Sequence, residues 1–499
     1  EGADPFLVPL AVDLTDEGQT VIVRPRWPLP EATDVAFFIK RDFATSGDAC
    51  VGASDSMRDL LDDETSVMAP AVDALESLGV MASSDELAAL QPYATQSTTR
   101  DAFAIAQYIQ SLPDEDFSLS NHECVTENDY VHCTSTFDAA DFRNEDFHVD
   151  IDVEDVQPQA PWELKLHAYL PLNATGPLLT IVFGHGLSGE GSTASALAES
   201  AAPKGYAVVA IDALMHGDHP SLMGDNPSGL AALLLFFAAD VIAMEIDALK
   251  LRDHFAQSAF DKLYLTRVLQ TGADLDGDGN ADVDADRLAY HGLSLGAIMG
   301  VEFLSLTDAY QGANLVMPGG GLVQVMTDPM GSFQDVLAAL VPTAYSEGDE
   351  RRLFALVQLV LDPADPASYG QHLLAQRPSF APTRPHLQVA SVLDDNTVPN
   401  SSNWTIARAM GVDIVPPTLR PVIGVGETAA PPLSANFEGE TTVGLLQFDV
   451  VAGGSLATHT NLSFNLVGLT AWWHFLDTLF ADGTPEIIDP YEAIGLDHL

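Results

Sequence analysis

Ser294 stands at the centre of Gly292-Leu293-Ser294-Leu295-Gly296, a G-x-S-x-G pentad, and a serine so placed can act as a nucleophile. A strand-like segment, Arg287-Leu288-Ala289-Tyr290-His291, precedes it, and residues 297–304 read as a helix. On a sharp strand-to-helix turn the hydroxyl is exposed, and small neighbours let the backbone bend tightly. A serine hydroxyl is a poor nucleophile at neutral pH. It needs a base within hydrogen-bond reach and a third group that orients the base. Both residue types occur downstream, each just after a strand-like run. Residues 387–393 lead into Asp394 and Asp395, and residues 447–451 lead into a loop ending at His459. His474 and His498, further along the chain, are the other histidines beyond that last run.

Such groups must be held by a scaffold, and the chain carries one. Continuous apolar runs at 178–183, 206–211, 287–290, 315–317, 387–392 and 443–450 alternate with helical stretches. Runs of this kind are strands buried on both faces, and the alternation predicts an α/β fold with a mostly parallel sheet. Ligands in such sheets bind beyond the carboxyl ends of the strands, where Ser294, Asp394 or Asp395, and His459 would lie. Residues 148–153 and 162–170 alternate like an antiparallel pair. Two long insertions, near 216–263 and 322–376, are rich in Leu, Ala and Phe and read as lids or binding elements. One of them carries the apolar stretch 229–237, a candidate cap helix or buried helix. Its His216 and His219 read as hydrogen-bonded loop histidines. Residues 1–115 read as an N-terminal accessory domain of β plus α character, with strands near 21–23 and 35–39 and helices over 56–90 and 102–112. Residues 116–499 form the larger domain.

With these elements in order, the chain resembles α/β-hydrolases of the bacterial esterase and lipase type over residues 145–480. The N-terminal domain more loosely resembles strand-rich domains on large secreted lipases and esterases. The order Ser, Asp, His matches that fold. Asp395-Asn396-Thr397-Val398-Pro399 resembles the D-x-x-V-P stretch that carries the acid, which implies Asp395 rather than Asp394. Gly184-His185-Gly186-Leu187-Ser188-Gly189 resembles the H-G turn of the family. That implies an oxyanion hole made by the N–H groups of Leu187 and Leu295, with His185 and Gly186 supporting the loop. The resemblance implies an α/β-hydrolase fold with cap insertions and a carboxylic ester hydrolase working through Ser294, His459 and Asp395. Catalysis would need no cofactor, and the substrate would be a small-molecule, lipid or polymeric ester, an insoluble polyester included. The alternatives are a peptidase or other acyl hydrolase of the same fold, and a non-catalytic calcium-stabilised surface binding protein.

Composition narrows the partners. The 499 residues include 72 acidic and 20 basic side chains, for a net charge of −52. Such a polyanion excludes nucleic acid as a natural partner. It suits a saline source, where the Debye length falls to ~3 Å at 1 M salt. A hydrophobic fraction of 47% supports a large core, so the charge does not signal disorder. Cys124 and Cys133 flank a turn-like tetrad and could be bridged across a hairpin, which predicts an oxidising compartment; Cys50 would be left over. A secreted or cell-surface bacterial protein is the expectation, monomeric and without a transmembrane segment, and its start at Glu1 reads as a mature or trimmed terminus. Just before the nucleophile strand, Asp274, Asp276, Asp278, Asn280 and Asp282 follow a D-x-D-x-D-G-x-x-D pattern. Alternating oxygen ligands and a turn glycine can wrap a structural Ca2+. The bidentate Glu of an EF-hand is absent, Ala285 standing in its place, and the bland reading is a solvated acidic loop.

Overall fold

The computed structural model describes the whole chain except residues 1–3, 27–28, 44–50, 226, 228, 241, 244, 329–332 and 334–340. Cys50 therefore lies outside the described residues. The chain divides into two compact units, Glu1–Thr98 and Thr99–Leu499. In the first, Leu10–Thr15 pairs antiparallel with Thr20–Pro25, and Asp34–Lys40 with Leu87–Ala94. Helices Asp55–Asp62 and Ala69–Ser77 bring Leu61 and Leu75 to a small core with Met68, Met81, Leu87 and Leu90. The helical pattern expected to run to residue 90 stops earlier. Pro92 in the segment 87–94 has no N–H for a helix interior, and the segment pairs as a strand instead.

The boundary between the units falls at Thr98, not near residue 115. Helix α1, Arg100–Ser111, places Ala102, Ile105, Ala106 and Ile109 on one face, the spacing of an amphipathic stripe. That stripe is buried in the main core of the second unit, so the helix belongs there.

The second unit is built on nine strands: β1 Ser120–Thr126, β2 Tyr130–Asp141, β3 Ala160–Pro171, β4 Leu178–Gly184, β5 Ala207–Ile211, β6 Val283–Leu293, β7 Tyr310–Val316, β8 His386–Val392 and β9 Val443–Phe448. Their order is β9-β8-β7-β6-β4-β5-β3-β2-β1. The six strands from β9 to β5 are parallel, and β3, β2 and β1 continue the sheet antiparallel. This is the α/β-hydrolase fold. Every residue of β5 and of β9 is buried, which is why these strands read as unbroken apolar runs. The expected pairing of 148–153 with 162–170 does not form. The partner of β3 is β2, in register from Tyr130↔Pro171 to Asp141↔Ala160. That strand is not evident from the apolar pattern because its buried positions include small and polar side chains such as Cys133 and Ser135, which dilute the alternation.

Cys124 and Cys133 face each other in the β1–β2 hairpin and are joined by a disulfide, their Cα atoms 4.1 Å apart. Helix α2, Ala248–Gln270, ends the first insertion sooner than expected. Its middle is buried on all sides, polar residues such as Asp253, Gln257 and Asp261 included, and it packs on helix α3, Leu295–Ser305. The segment outside the scaffold therefore stops at Asp247, whose carboxylate accepts from the N–H of Lys250 and caps α2. The second insertion contains helices α4, Leu322–Thr327, and Glu347–Leu361 and Pro366–Leu373 beyond it. Among the described residues no helix is long and apolar enough to cross a membrane.

Candidate active site

The sheet changes winding direction between β4 and β6, which are neighbours although β5 follows β4 in the chain. A crevice opens beyond the carboxyl ends of strands at such a point, and Ser294 sits there, between β6 and α3. Its φ of 54° and ψ of −114° are costly for a residue with a Cβ, on the order of 1–3 kcal/mol. The surroundings impose them. Ser294 N–H donates to Val316 O at 2.9 Å, Gly296 N–H donates to His185 O at 2.9 Å, and Tyr290 Oη–H donates to Gly296 O at 2.6 Å. The two glycines of the pentad follow from close approach. A Cβ on Gly292 would lie 2.6 Å from Gly296 O, and one on Gly296 would lie 2.2 Å from Gly184 O.

The residues singled out downstream converge on this serine. His459 Nε2 lies 2.8 Å from Ser294 Oγ, and His459 Nδ1 lies 2.8 Å from Asp395 Oδ2. The Asp395 side chain is fully buried. Its Oδ1 accepts from the N–H groups of Thr397 at 2.9 Å and Val398 at 3.0 Å, while its own N–H donates to Asn400 Oδ1 at 3.0 Å. The carboxylate is thus fixed with one oxygen turned to the imidazole. Asp394 points away, exposed and paired with Arg420 at 2.9 Å. An Nδ1–H bonded to a carboxylate leaves Nε2 bare to accept the serine proton, the geometry of nucleophilic serine chemistry.

Beyond β4 the turn at residues 184–189 faces the same serine. Gly186 O accepts from the N–H of Gly189 at 2.9 Å and from His185 Nδ1–H at 2.9 Å. In a trans peptide the carbonyl and the next N–H point in opposite directions. Holding Gly186 O therefore aims Leu187 N–H the other way. Neither Leu187 nor Leu295 N–H has a hydrogen-bond acceptor among the described residues, which leaves both donors for a ligand. His185 Nε2 accepts from Ala213 N–H at 2.9 Å, and burial pushes its pKa down to about 3, His216 adding to the effect. It is neutral across the working range, as its two bonds require.

An apolar pocket, partly open to solvent, adjoins Ser294, Leu187 and Leu295. Phe237 from the first insertion, Phe255 from α2, Ile298 from α3, and Val325, Met326 and Phe333 from the second insertion line it. Phe237 packs against Phe333 with ring centroids 5.3 Å apart. Composition alone marks the insertions as apolar, but which side chains meet above the serine depends on tertiary contacts between distant segments, such as Phe237 with Phe333.

The acidic loop is only partly gathered. Asp274, Asp276 and Asp282 each bring an oxygen within 4.8 Å of the others, the one such group of three or more His, Cys, Asp or Glu side chains among the described residues. Asp278 stands outside it and accepts from Asn280 N–H at 2.8 Å. The pKa of Asp282 is raised, by burial first and then by the charges of Asp276 and Asp274. The loop touches the disulfide hairpin, where a Cβ on Gly277 would lie 2.9 Å from His122 Cγ. It leads into β6 through Asp282 O, which accepts from Leu178 N–H at 2.7 Å. His216 and His219 form no metal cluster among the described residues. His219 Nε2 lies 3.2 Å from Asp261 Oδ2, and both side chains are buried.

Fold and site together define an α/β-hydrolase scaffold presenting a serine, a histidine and an aspartate in mutual contact. No protein-family model and no curated protein sequence matches the chain. Among solved structures, it is similar to the acetyl xylan esterase from Paenibacillus sp. R4, with 17% identity and a TM-score of 0.46 over 78% of this chain and 96% of that one. Acetyl xylan esterase 1 from Thermoanaerobacterium sp. JW/SL YS485 gives 14% identity and a TM-score of 0.41 over 63% and 86%. The acylaminoacyl peptidase of Pyrococcus horikoshii gives 10% and 0.33 over 71% and 39%.

Proposed function

We propose that this protein is a serine carboxylic ester hydrolase acting on esters with an apolar acyl group. The observation that carries the reading is the unbroken contact Asp395–His459–Ser294, at 2.8 Å for each link, beneath an apolar cavity. Ser294 Oγ attacks the ester carbonyl as His459 Nε2 takes its proton. The carbonyl oxygen becomes an oxyanion between the N–H groups of Leu187 and Leu295. Collapse expels the alkoxide, which leaves as the alcohol with the proton from His459. Water then repeats the sequence on the acyl-enzyme and releases the acid. The test is labelling with a fluorophosphonate, which should modify Ser294 and abolish hydrolysis of a p-nitrophenyl ester in parallel. A fully labelled protein that keeps its rate, or a wild-type protein that cleaves peptides and no ester, would remove the proposal.

The cavity sets a chain-length expectation. Burying one methylene contributes ~0.8 kcal/mol, about fourfold in kcat/KM. The constant should therefore climb from acetyl esters upward until the cavity is filled. Phe237→Ala removes one of its walls. Its optimum should move to longer acyl chains, while the wild type's best substrate loses about tenfold in kcat/KM. A panel of p-nitrophenyl esters on both proteins checks this, and identical profiles would show that Phe237 does not bound the acyl site.

We further propose a structural Ca2+ held by Asp274, Asp276 and Asp282. Three carboxylates crowded together and one raised pKa are what a hard cation would relieve. When bound, the ion would brace the loop entering β6 and take no part in the ester chemistry. Saturating Ca2+ should raise the melting midpoint by about 2–5 °C, and Asp276→Asn should abolish the response. Equal midpoints with Ca2+ and with a chelator would dismiss the ion. The bridged Cys124–Cys133 pair supports the further proposal that the protein works in an oxidising, extracellular setting.

A further inference from the structure

The structure assigns His216 as a positioning residue for the oxyanion donor Leu187, an inference that rests on the ester-hydrolase reading. Leu187 lies between two peptide planes. The first, Gly186–Leu187, carries the donor N–H itself and is fixed through Gly186 O by His185 and Gly189. The second, Leu187–Ser188, needs its own restraint, because Ser188 has a φ of 62°. A side chain disfavours that left-handed backbone, and a relaxing Ser188 would swing the peptide that follows the donor.

His216 supplies that restraint. Its Nδ1 lies 2.8 Å from Leu214 O, which can only accept, so Nδ1 carries the hydrogen. In the neutral ring Nε2 is then bare, and Ser188 N–H donates to it at 3.2 Å. Burial lowers the pKa of His216, in keeping with this neutral form. The ring is itself wedged, 5.1 Å from the His185 ring and 5.3 Å from that of Phe236. Phe236 O in turn accepts from His254 Nδ1–H at 2.7 Å. Two neutral imidazoles from different strand ends thus hold consecutive peptide planes around one N–H. His216 touches neither the serine nor the space for substrate, so it acts through Leu187.

Removing one oxyanion donor outright costs ~10²–10³ in kcat; loosening its frame should cost less. His216→Phe keeps the ring volume against Phe236 and deletes the acceptor. His216→Gln keeps an oxygen acceptor at about the same reach. On a p-nitrophenyl ester, H216F should lose ~10–100-fold in kcat with KM within about twofold, and H216Q should recover most of that loss. A role confined to folding would instead lower the melting midpoint and the active fraction of both variants alike. Wild-type kcat in H216F, or no recovery in H216Q at equal thermal stability, overturns the assignment. Wild-type protein that turns over no ester overturns this inference and the enzyme reading together, whereas an active wild type beside an indifferent H216F overturns this one alone.

Discussion

Ser294→Ala should lower ester hydrolysis by ~10⁴-fold or more with no measurable change in fold. The substitution removes one atom that the mechanism cannot replace, since Oγ is the group 2.8 Å from His459 Nε2. The restraints on the elbow are untouched, being the backbone bonds of Ser294 and Gly296 and the Tyr290 hydroxyl on Gly296 O. Alanine meets the same positive-φ penalty as serine, so thermal stability should stay within about 1–2 °C. The oxyanion N–H groups also survive, and their contribution sets the residual rate above the uncatalysed reaction. Steady-state kinetics on one ester for both proteins, with melting curves alongside, decide the matter. A folded S294A that hydrolyses at the wild-type rate would place the chemistry elsewhere.

Much of this site was legible in the sequence because its parts are local. The pentad's glycines are forced by contacts at residues 184 and 296, and the H-G turn, the D-x-x-V-P stretch and His459 each follow a strand buried enough to read as an apolar run. What escaped was non-local. Helix α2 reads as insertion because a helix buried all round, with Asp253, Gln257 and Asp261 inside it, shows no polar stripe to mark its scaffold role. Helix α1 carried a clean apolar stripe, but a stripe does not say which core it enters. His216 was visible as a loop histidine, yet its bond to Ser188 spans 28 residues and joins two strand ends that only the parallel sheet brings together. The acidic loop shows the opposite limit. Its pattern names five oxygen-bearing residues, but the backbone gathers three carboxylates and leaves Asp278 with Asn280.

The choice between the adjacent carboxylates yields the second large expectation. Asp395→Asn should reduce kcat/KM by ~10⁴-fold, and the local geometry says why. In the wild type, Oδ1 accepts two backbone N–H groups, from Thr397 and Val398. An amide nitrogen cannot accept them, so the asparagine oxygen must take that position and its NH₂ must face His459. Nδ1 would then accept rather than donate, the ring hydrogen would move to Nε2, and Nε2 could no longer receive the proton of Ser294. The variant keeps its shape and its bonds to the loop, and loses the tautomer that does the work. Asp394→Asn is the matched control. That carboxylate is exposed and paired with Arg420, and exposed pairs contribute little, so kcat/KM should change by less than about threefold. Measuring both variants beside S294A separates a fixed orienting acid from general loss of charge in the loop. Equal losses in D394N and D395N would show that the loop's charge matters and the hydrogen bond to His459 does not.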